Sequence, residues 1–155
     1  MGSLESFRDL RSWEEHHEII LEIYILTKNF PEDEQFGLCS QIRRSASSIT
    51  ANLAEGFGRY YFKDKIRFYY MARSSNTETQ NHLILASDLG YIQRETAEDL
   101  ILRLIRGQKS INGLIKSTRE QDNRNYYYFP LFTNYEIKIL RRGSKCYRFP
   151  PFIKI

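Results

Sequence analysis

QIRRSASSITANLAEGFG, residues 41–58, has the apolar period of an α-helix. Side chains that recur at intervals of three and four residues share one face of a helix. On this face lie Leu38, Ile42, Ser45, Ile49, Asn52 and Gly56. Small serine and alanine side chains beside it allow neighbouring helices to come close. Because glycine adopts the left-handed cap conformation without steric cost, Gly56 and Gly58 predict that this central helix ends near Phe57.

The flanking sequence predicts three further helices. The first, residues 12–29, ends before Pro31, because the residue ahead of a proline favours extended backbone. Pro31 then opens the central helix, where its missing N–H costs little. A third helix is expected over residues 63–89 and a fourth over residues 96–118. The short connections between these helices predict an all-α fold, an antiparallel up-down-up-down four-helix bundle.

Residues 120–155 differ in character from the predicted bundle. They have no helical period, and Pro130, Pro150 and Pro151 divide them into short pieces. The predicted domain division is therefore a four-helix bundle over residues 1–119, followed by an aromatic and basic tail that is irregular or disordered.

Several spaced motifs resemble a known family. They are FRDLRSW (7–13), FPEDEQFGLCSQIRRSASSITANLAEGFGR (30–59) and ARSSNTETQ (72–80). Together they resemble the four-helix-bundle proteins encoded in intervening sequences of bacterial large-subunit ribosomal RNA genes. The accessory variability determinant proteins of diversity-generating retroelements look related. The resemblance covers about residues 7–119. It implies an antiparallel four-helix bundle, often a homopentameric ring, and no enzyme; a nucleic-acid role is established for the retroelement relatives and mostly assumed for the rest.

Composition is that of a single globular domain. At 155 residues and 41% hydrophobic content, the chain can bury a core of its own. Cys39 and Cys146 lie far apart and match no metal-site spacing, so both are expected to be free thiols in a reducing cytoplasm. The first residues lack the pattern of a signal peptide, and no apolar run is long enough to span a bilayer. We therefore expect a cytoplasmic protein with no membrane association.

The distribution of charge is more informative than the net charge of +4. Residues 1–40 carry nine acidic and three basic side chains, a balance of −6, and residues 41–119 carry seven and thirteen, a balance of +6. Residues 120–155 add three acidic and seven basic side chains. This split suits a head-to-tail contact between copies, and such contacts can close into rings. We expect a cyclic homo-oligomer, with acidic residues of the first helix or the following loop near residues 59–67 of the next copy; the resemblance implies a pentamer.

Polar side chains on the central and third helices predict an internal network. Arg43 and Arg44 lie about three turns from Glu55 on the same helix and cannot pair with it. Because a buried, unpaired carboxylate is costly, Glu55 is expected to find partners on the antiparallel third helix. The predicted network joins Asn52, Glu55, Arg73 and Asn76. It either fixes the register of the helices or contacts a ligand or nucleic acid.

A basic and aromatic segment, residues 59–73, is the candidate nucleic-acid interface. Cations beside stackable rings are what single-stranded nucleic acid prefers. In the alternative interpretation, the rings belong to the core and the cations are solvated. The predicted nucleic-acid-binding residues are Arg43, Arg44, Arg59, Lys63, Lys65 and Arg67.

Patterns that would indicate catalysis or a cofactor are incomplete. Glu14-x-x-His17 has the spacing of a carboxylate-bridged di-metal bundle, but that class needs a second Glu-x-x-His. His82 follows Glu78 by four residues instead. Cys39 lies near a helix start, where a thiol can be activated, yet no general base is predicted beside it. With no phosphate-binding glycine loop and no Gly-x-Ser-x-Gly turn, we expect no metal, no cofactor and no enzymatic activity.

Two functions remain open at this point. The first is a ring-forming bundle that binds RNA, single-stranded DNA or a protein that handles nucleic acid. The second is a structural or protein-interaction module without affinity for nucleic acid. Binding measured at two salt concentrations separates them, because phosphate contacts make affinity fall steeply with salt.

Overall fold

The computed structural model describes the backbone of residues 5–140 and the side chains of residues 5–123. Its helices are α1 (Arg11–Leu26), α2 (Leu38–Gly58), α3 (Phe62–Asp88) and α4 (Arg94–Leu140), and short 3-10 helices cover Phe7–Asp9, Thr27–Asn29 and Glu32–Glu34. No strand occurs among these residues. The packed bundle lies in the first of two units, residues 1–121; in the second unit the described backbone, residues 122–140, is helical. The predicted all-α four-helix bundle is confirmed.

α2 and α3 pack against each other in opposite directions. Near the start of α2, Arg44 pairs with Glu78 in the second half of α3 at 2.8 Å. Near the end of α2, Gly56 lies against Tyr69 in the first half of α3, where a Cβ atom added to the glycine would be 2.5 Å from the tyrosine ring. Gly56 therefore permits close packing within the helix, and α2 ends at Gly58, one residue later than the sequence predicted.

α1 and α4 are also antiparallel neighbours. Arg103 of α4 holds the carboxylate of Glu22 with two hydrogen bonds, of 2.6 and 2.7 Å. Two turns earlier in α1, Glu15 accepts a hydrogen bond from Ser110, two turns later in α4. These contacts align the first and last helices of the bundle side by side, as an up-down-up-down arrangement requires.

The core receives apolar side chains from all four helices. Those no more than 2% exposed include Ile19, Ile23, Ile42, Ile49, Leu53, Leu83, Leu100, Leu104 and Ile111. Where a helix contributes more than one of them, their spacing of four or seven residues places them on one inward face. Burial of such side chains stabilises the fold by about 1.5–3 kcal/mol each before the entropy of ordering them is subtracted.

The start of the central helix is a correction to the sequence prediction. The prediction placed it at Pro31, whereas α2 begins at Leu38, after the separate 3-10 helix Glu32–Glu34. The cause is local: Gly37 has a non-helical backbone (ψ −122°), and the Glu34 carboxylate reaches forward to accept the backbone N–H of Leu38 at 2.8 Å. Glu34 therefore caps α2 from outside, and the acidic run does not form the first turn of that helix.

The end of the fourth helix is a second correction. The prediction ended it near Thr118 and made the following residues irregular, whereas α4 continues to Leu140. Extending an existing helix gains one hydrogen bond for each residue fixed, prolines such as Pro130 excepted, so it needs no apolar period to continue. Residues 141–155, including Cys146, lie outside the described residues. The division predicted between residues 119 and 120 stays a prediction.

None of the described helices combines the length and the apolar character needed to cross a bilayer. Cys39 is a free thiol with no solvent exposure, and its Sγ lies 3.5 Å from the carbonyl oxygen of Thr27 at the end of α1. The cysteine thus acts as a small buried side chain where α1 and α2 meet.

Candidate functional site

The connection between α2 and α3 exposes two aromatic rings. Arg59, Tyr60 and Tyr61 form this short connection, and α3 begins at the next residue. The side chains of Tyr60 and Tyr61 are 78% and 68% exposed, and their rings meet edge to face with centroids 5.1 Å apart. Large exposed rings beside cations can stack on unpaired bases.

Two cations beside these rings are free of acidic partners. Lys63 and Arg67 lie in the first turns of α3 with exposed side chains. Among the described residues, neither has an acidic group within ion-pair distance. Their charges are therefore not neutralised within the described part of the chain, and they remain available to an anion.

Arg59 and Lys65 lie at the same end of the bundle but already have partners. Arg59 pairs with Glu55 one turn earlier, and its guanidinium lies 4.7 Å from the centroid of the Phe68 ring. Lys65 donates a hydrogen bond of 2.7 Å to the carbonyl oxygen of Phe57. Partial burial lowers the pKa of Lys65, because desolvation disfavours the charged ammonium. The structure therefore gives the six predicted cations unequal roles.

Arg43 and Arg44 lie far from that end. Arg43 donates to the Thr27 hydroxyl at 2.7 Å, and Arg44 pairs with Glu78. Arg59, just after the end of α2, follows Arg44 by fifteen positions, which corresponds to about 22 Å along the helix. The six predicted nucleic-acid-binding residues are thus not brought together as one patch: four cluster at the α2–α3 connection, and two lie towards the other end.

An open groove runs between α2 and α3 beside the free cations. We refer to it as the α2–α3 groove, and its volume is about 700 Å³. Its lining includes Asn52, Lys63, Ile66, Arg67, Tyr70 and Met71. Hydroxyls of nearby serines complete a wall without any acidic side chain. A groove with apolar side chains and two cations suits an acidic or phosphate-bearing partner with an apolar part.

The predicted network of Asn52, Glu55, Arg73 and Asn76 is not assembled, which corrects the sequence prediction. Asn52 donates to the Ser48 carbonyl oxygen at 2.7 Å, within its own helix. Glu55 is 50% exposed and pairs with Arg59, so it needs no buried partner.

The two network residues on α3 face elsewhere. Arg73 lies over the Tyr70 ring, 4.8 Å from its centroid, and approaches the side-chain oxygen of Asn112 at 3.4 Å. Asn76 is fully buried and points into the bundle. Of the four residues, only Asn76 belongs to an internal polar network, and its partners lie on α1 and α4 as well as on α3 itself.

The network that the structure contains is centred on His16. The His16 ring is fully buried, and its Nδ1–H donates to the Ser12 carbonyl oxygen at 2.5 Å. Its Nε2 accepts a hydrogen bond from the Asn76 amide at 2.8 Å. The same amide donates to the Leu104 carbonyl oxygen at 3.0 Å, and Gln80 donates to the Asn76 side-chain oxygen. Every polar atom of His16 and Asn76 is paired, as buried polar groups require.

The sequence analysis did not identify His16, because the recognisable spacing involves the adjacent residue, His17. Glu14-x-x-His17 suggested a metal spacing, but the His17 ring stacks on Trp13, with centroids 4.6 Å apart and planes 14° from parallel. No group of side chains that could hold a metal ion occurs among the described residues. The available signal was position: His16 precedes the buried Ile19 and Ile20 by three and four residues, on the inward face of α1.

The chain is similar to proteins of one family. Residues 8–113 match the model of the 23S rRNA-intervening sequence protein family. A solved structure from Bacteroides thetaiotaomicron VPI-5482, a protein with unknown function from the S23 ribosomal protein family, is 27% identical, with a TM-score of 0.63. The similarity covers 68% of this chain and 95% of that one. No curated protein matches the chain.

Proposed function

Because this chain belongs to the 23S rRNA-intervening sequence protein family, we propose that it is a non-enzymatic, ring-forming protein that binds RNA or single-stranded DNA at the α2–α3 connection. The observation that carries the nucleic-acid part is the exposure of Tyr60 and Tyr61 beside the unpaired cation of Lys63. Stacking of an unpaired base on an aromatic ring contributes about 1–3 kcal/mol, and a neighbouring cation attracts the phosphate.

Assembly into a ring multiplies this modest site. At the α2–α3 connection, one copy offers two exposed tyrosine rings and two free cations, Lys63 and Arg67, which alone would bind weakly. Identical sites held at fixed spacing bind the same strand together, so that avidity can exceed the affinity of one site by about 10²–10⁴. We propose a cyclic homo-oligomer, and the resemblance that the sequence carries favours five subunits.

Titration with labelled single-stranded RNA and DNA, at low and at physiological salt, tests the binding. We expect affinity that falls steeply with salt and that weakens at least about tenfold when Tyr60 and Tyr61 are both changed to alanine. Lys63→Gln should weaken binding and reduce the salt slope. Lys28→Gln is the matched control. Lys28 is an exposed lysine in the 3-10 helix that follows α1, at the end of the bundle away from the α2–α3 connection.

Absence of binding at low salt would contradict this function. The chain would then be assigned to the second class, a protein-interaction module. If the affinity for nucleic acid is unchanged when both tyrosines are replaced by alanine, the nucleic-acid site lies elsewhere on the molecule.

A further inference from the structure

Phe36 is the most exposed large apolar side chain among the described residues. Its side chain is 97% exposed, and it lies in the connection that leads into α2. Full exposure of an aromatic ring forgoes the free energy that its burial would release. Single exposed apolar residues are common and need no role. Whether the exposure of Phe36 indicates a binding surface therefore depends on the backbone and the charges around it.

The backbone around Phe36 is held rigidly. Glu34 accepts hydrogen bonds from the backbone N–H of Leu38 at 2.8 Å and from the Tyr91 hydroxyl at 3.3 Å, which ties this connection to α2 and to the connection between α3 and α4. The Gly37 N–H donates to the Glu34 carbonyl oxygen at 3.1 Å. A Cβ atom added to Gly37 would meet the end of the Glu34 side chain, so a larger residue there would displace the carboxylate that holds Leu38. Phe36 therefore projects from a fixed turn, and little further ordering is needed when it binds.

The surroundings of Phe36 are acidic. Glu32 and Asp33 lie in the preceding 3-10 helix with exposed side chains, and no ion pair to another described residue involves them. The connection thus presents one aromatic ring beside two free carboxylates. We call Glu32, Asp33 and Phe36 the acidic knob.

The α2–α3 groove has the complementary character. Ile66, Tyr70 and Met71 supply apolar surface, and Met71 is 45% exposed although it is a large apolar side chain. Lys63 and Arg67 at the groove have no acidic partner among the described residues. Aromatic anchors that enter a pocket are the contacts that dominate protein interfaces.

We propose that the acidic knob of one copy docks into the α2–α3 groove of the next, with the Phe36 ring against Met71 and the carboxylates of Glu32 and Asp33 near Arg67. This rests on the ring-forming part of the proposed function and names the contact that closes the ring. The knob cannot fill the groove of its own chain, because fourteen residues of α2 separate Leu38, beside the knob, from Asn52, in the groove. That spacing is about 21 Å along the helix.

Two different surfaces meet in this contact, so each copy can use both at once. Such a heterologous contact repeats from copy to copy until the rotation closes a ring. Lys63 borders both the groove and the exposed tyrosines, whereas Phe36 and Met71 belong to the subunit contact alone. Substitutions at Phe36 and Met71 therefore separate assembly from nucleic-acid binding by the tyrosines.

Light scattering of purified full-length variants across micromolar concentrations tests the contact. Phe36→Ala and Met71→Glu should each raise the concentration needed for assembly at least about tenfold. Ile25→Ala and Leu85→Glu are the matched controls. Ile25 is 62% exposed, and Leu85, on the same helix as Met71, is 44% exposed, so both are apolar surface residues outside the proposed contact. Circular dichroism confirms that each variant keeps its helices.

A mixing experiment then distinguishes a head-to-tail contact from a symmetric one. The Phe36→Ala chain keeps an intact groove, and the Met71→Glu chain keeps an intact knob. Mixed in equal amounts, they should form a dimer through their one complete contact, while each alone stays monomeric. A ring that forms in either variant as in the unchanged protein, or a mixture that stays monomeric, would overturn the proposed contact. A monomeric unchanged protein would instead overturn the ring itself.

Discussion

The His16 ring occupies the space that a side chain at Gly107 would take: a Cβ atom added to Gly107 would lie 2.5 Å from the His16 Cε1 atom. The glycine is inside α4, where it lowers helix stability by about 1 kcal/mol relative to alanine. The presence of glycine at position 107 is explained by His16 on the facing helix, α1. Hydrogen bonds at both ring nitrogens fix that histidine, so it cannot move aside.

Gly107→Ala should therefore destabilise the bundle in spite of the higher helix propensity of alanine. Overpacking of a core costs about 1–3 kcal/mol, which exceeds the propensity gain, and we expect a net loss of about 1–2 kcal/mol. Urea denaturation measures it. Gly113→Ala is the matched control in the same helix, because no atom lies within 4 Å of its added Cβ. That variant should be stabilised by about 0.5–1 kcal/mol, and equal effects at both positions would contradict the steric explanation.

Acidification should weaken the fold through His16. Burial lowers the pKa of this histidine below its usual 6.5, because the charged ring would lose its solvation. Protonation would also place an N–H on Nε2 facing the Asn76 amide donor. The unfolded chain therefore binds a proton that the folded chain resists, and this contribution to stability is lost as pH falls from about 6.5 towards the lowered pKa.

NMR titration of the His16 ring in the folded protein checks this directly. We expect its midpoint below pH 6.5, with the free energy of unfolding falling by up to about 1.4 kcal/mol per pH unit in that window. A His16→Gln variant removes the titrating ring and should lose less stability between pH 7 and pH 5.5 than the unchanged protein. A midpoint at or above 6.5 would show that the ring is not held in its neutral form.

Truncation after Arg119 should leave the bundle folded. Within residues 5–123, the buried residues closest to that point, Ile111, Ile115 and Thr118, all precede it, so the core formed by the described side chains keeps its members. Circular dichroism and thermal melting should show a cooperative transition at nearly the same temperature, with fewer helical residues overall. Loss of soluble folded protein would show that residues 120–155 cover part of the core.

Charge reversal tests the electrostatic part of assembly. Unchanged protein should scatter light as a particle of about five times the 18.5 kDa chain mass. The double variant Lys63→Glu and Arg67→Glu should weaken the ring, because it places acids opposite the acidic residues of the next copy. Arg106→Glu with Lys109→Glu changes the net charge equally on α4 and should leave the ring intact. If both double variants assemble normally, charge complementarity does not drive the contact.

The helices could be predicted from sequence because their signals are local. Apolar spacing and glycine positions gave the end of α2 to within one residue. The partners of Glu55 could not be predicted, because exposure decides whether a carboxylate needs a buried partner, and exposure depends on the packed bundle. The predicted start of α2 was wrong for a related reason. Glu34 accepts hydrogen bonds from the Leu38 N–H and from the hydroxyl of Tyr91, and Tyr91 is distant in sequence.

The candidate site was predictable only in part. Residues 59–73 were identified from composition, and Lys63 and Arg67 are indeed free cations among the described residues. Arg43 and Arg44 were predicted to bind nucleic acid as well, but sequence cannot show that an arginine already has a hydroxyl or an acid on another segment as its partner. The pairing of His16 with Gly107 joins residues far apart in the chain, and no local pattern reveals it.

The complete burial of Cys39 gives the protein an internal reporter of its own dynamics. A thiol without solvent access reacts with alkylating reagents only when the helices around it separate. In a Cys146→Ser background, Cys39 becomes the single cysteine of the chain. The rate at which it is alkylated under native conditions then measures how often α1 and α2 open, without any denaturant or attached probe.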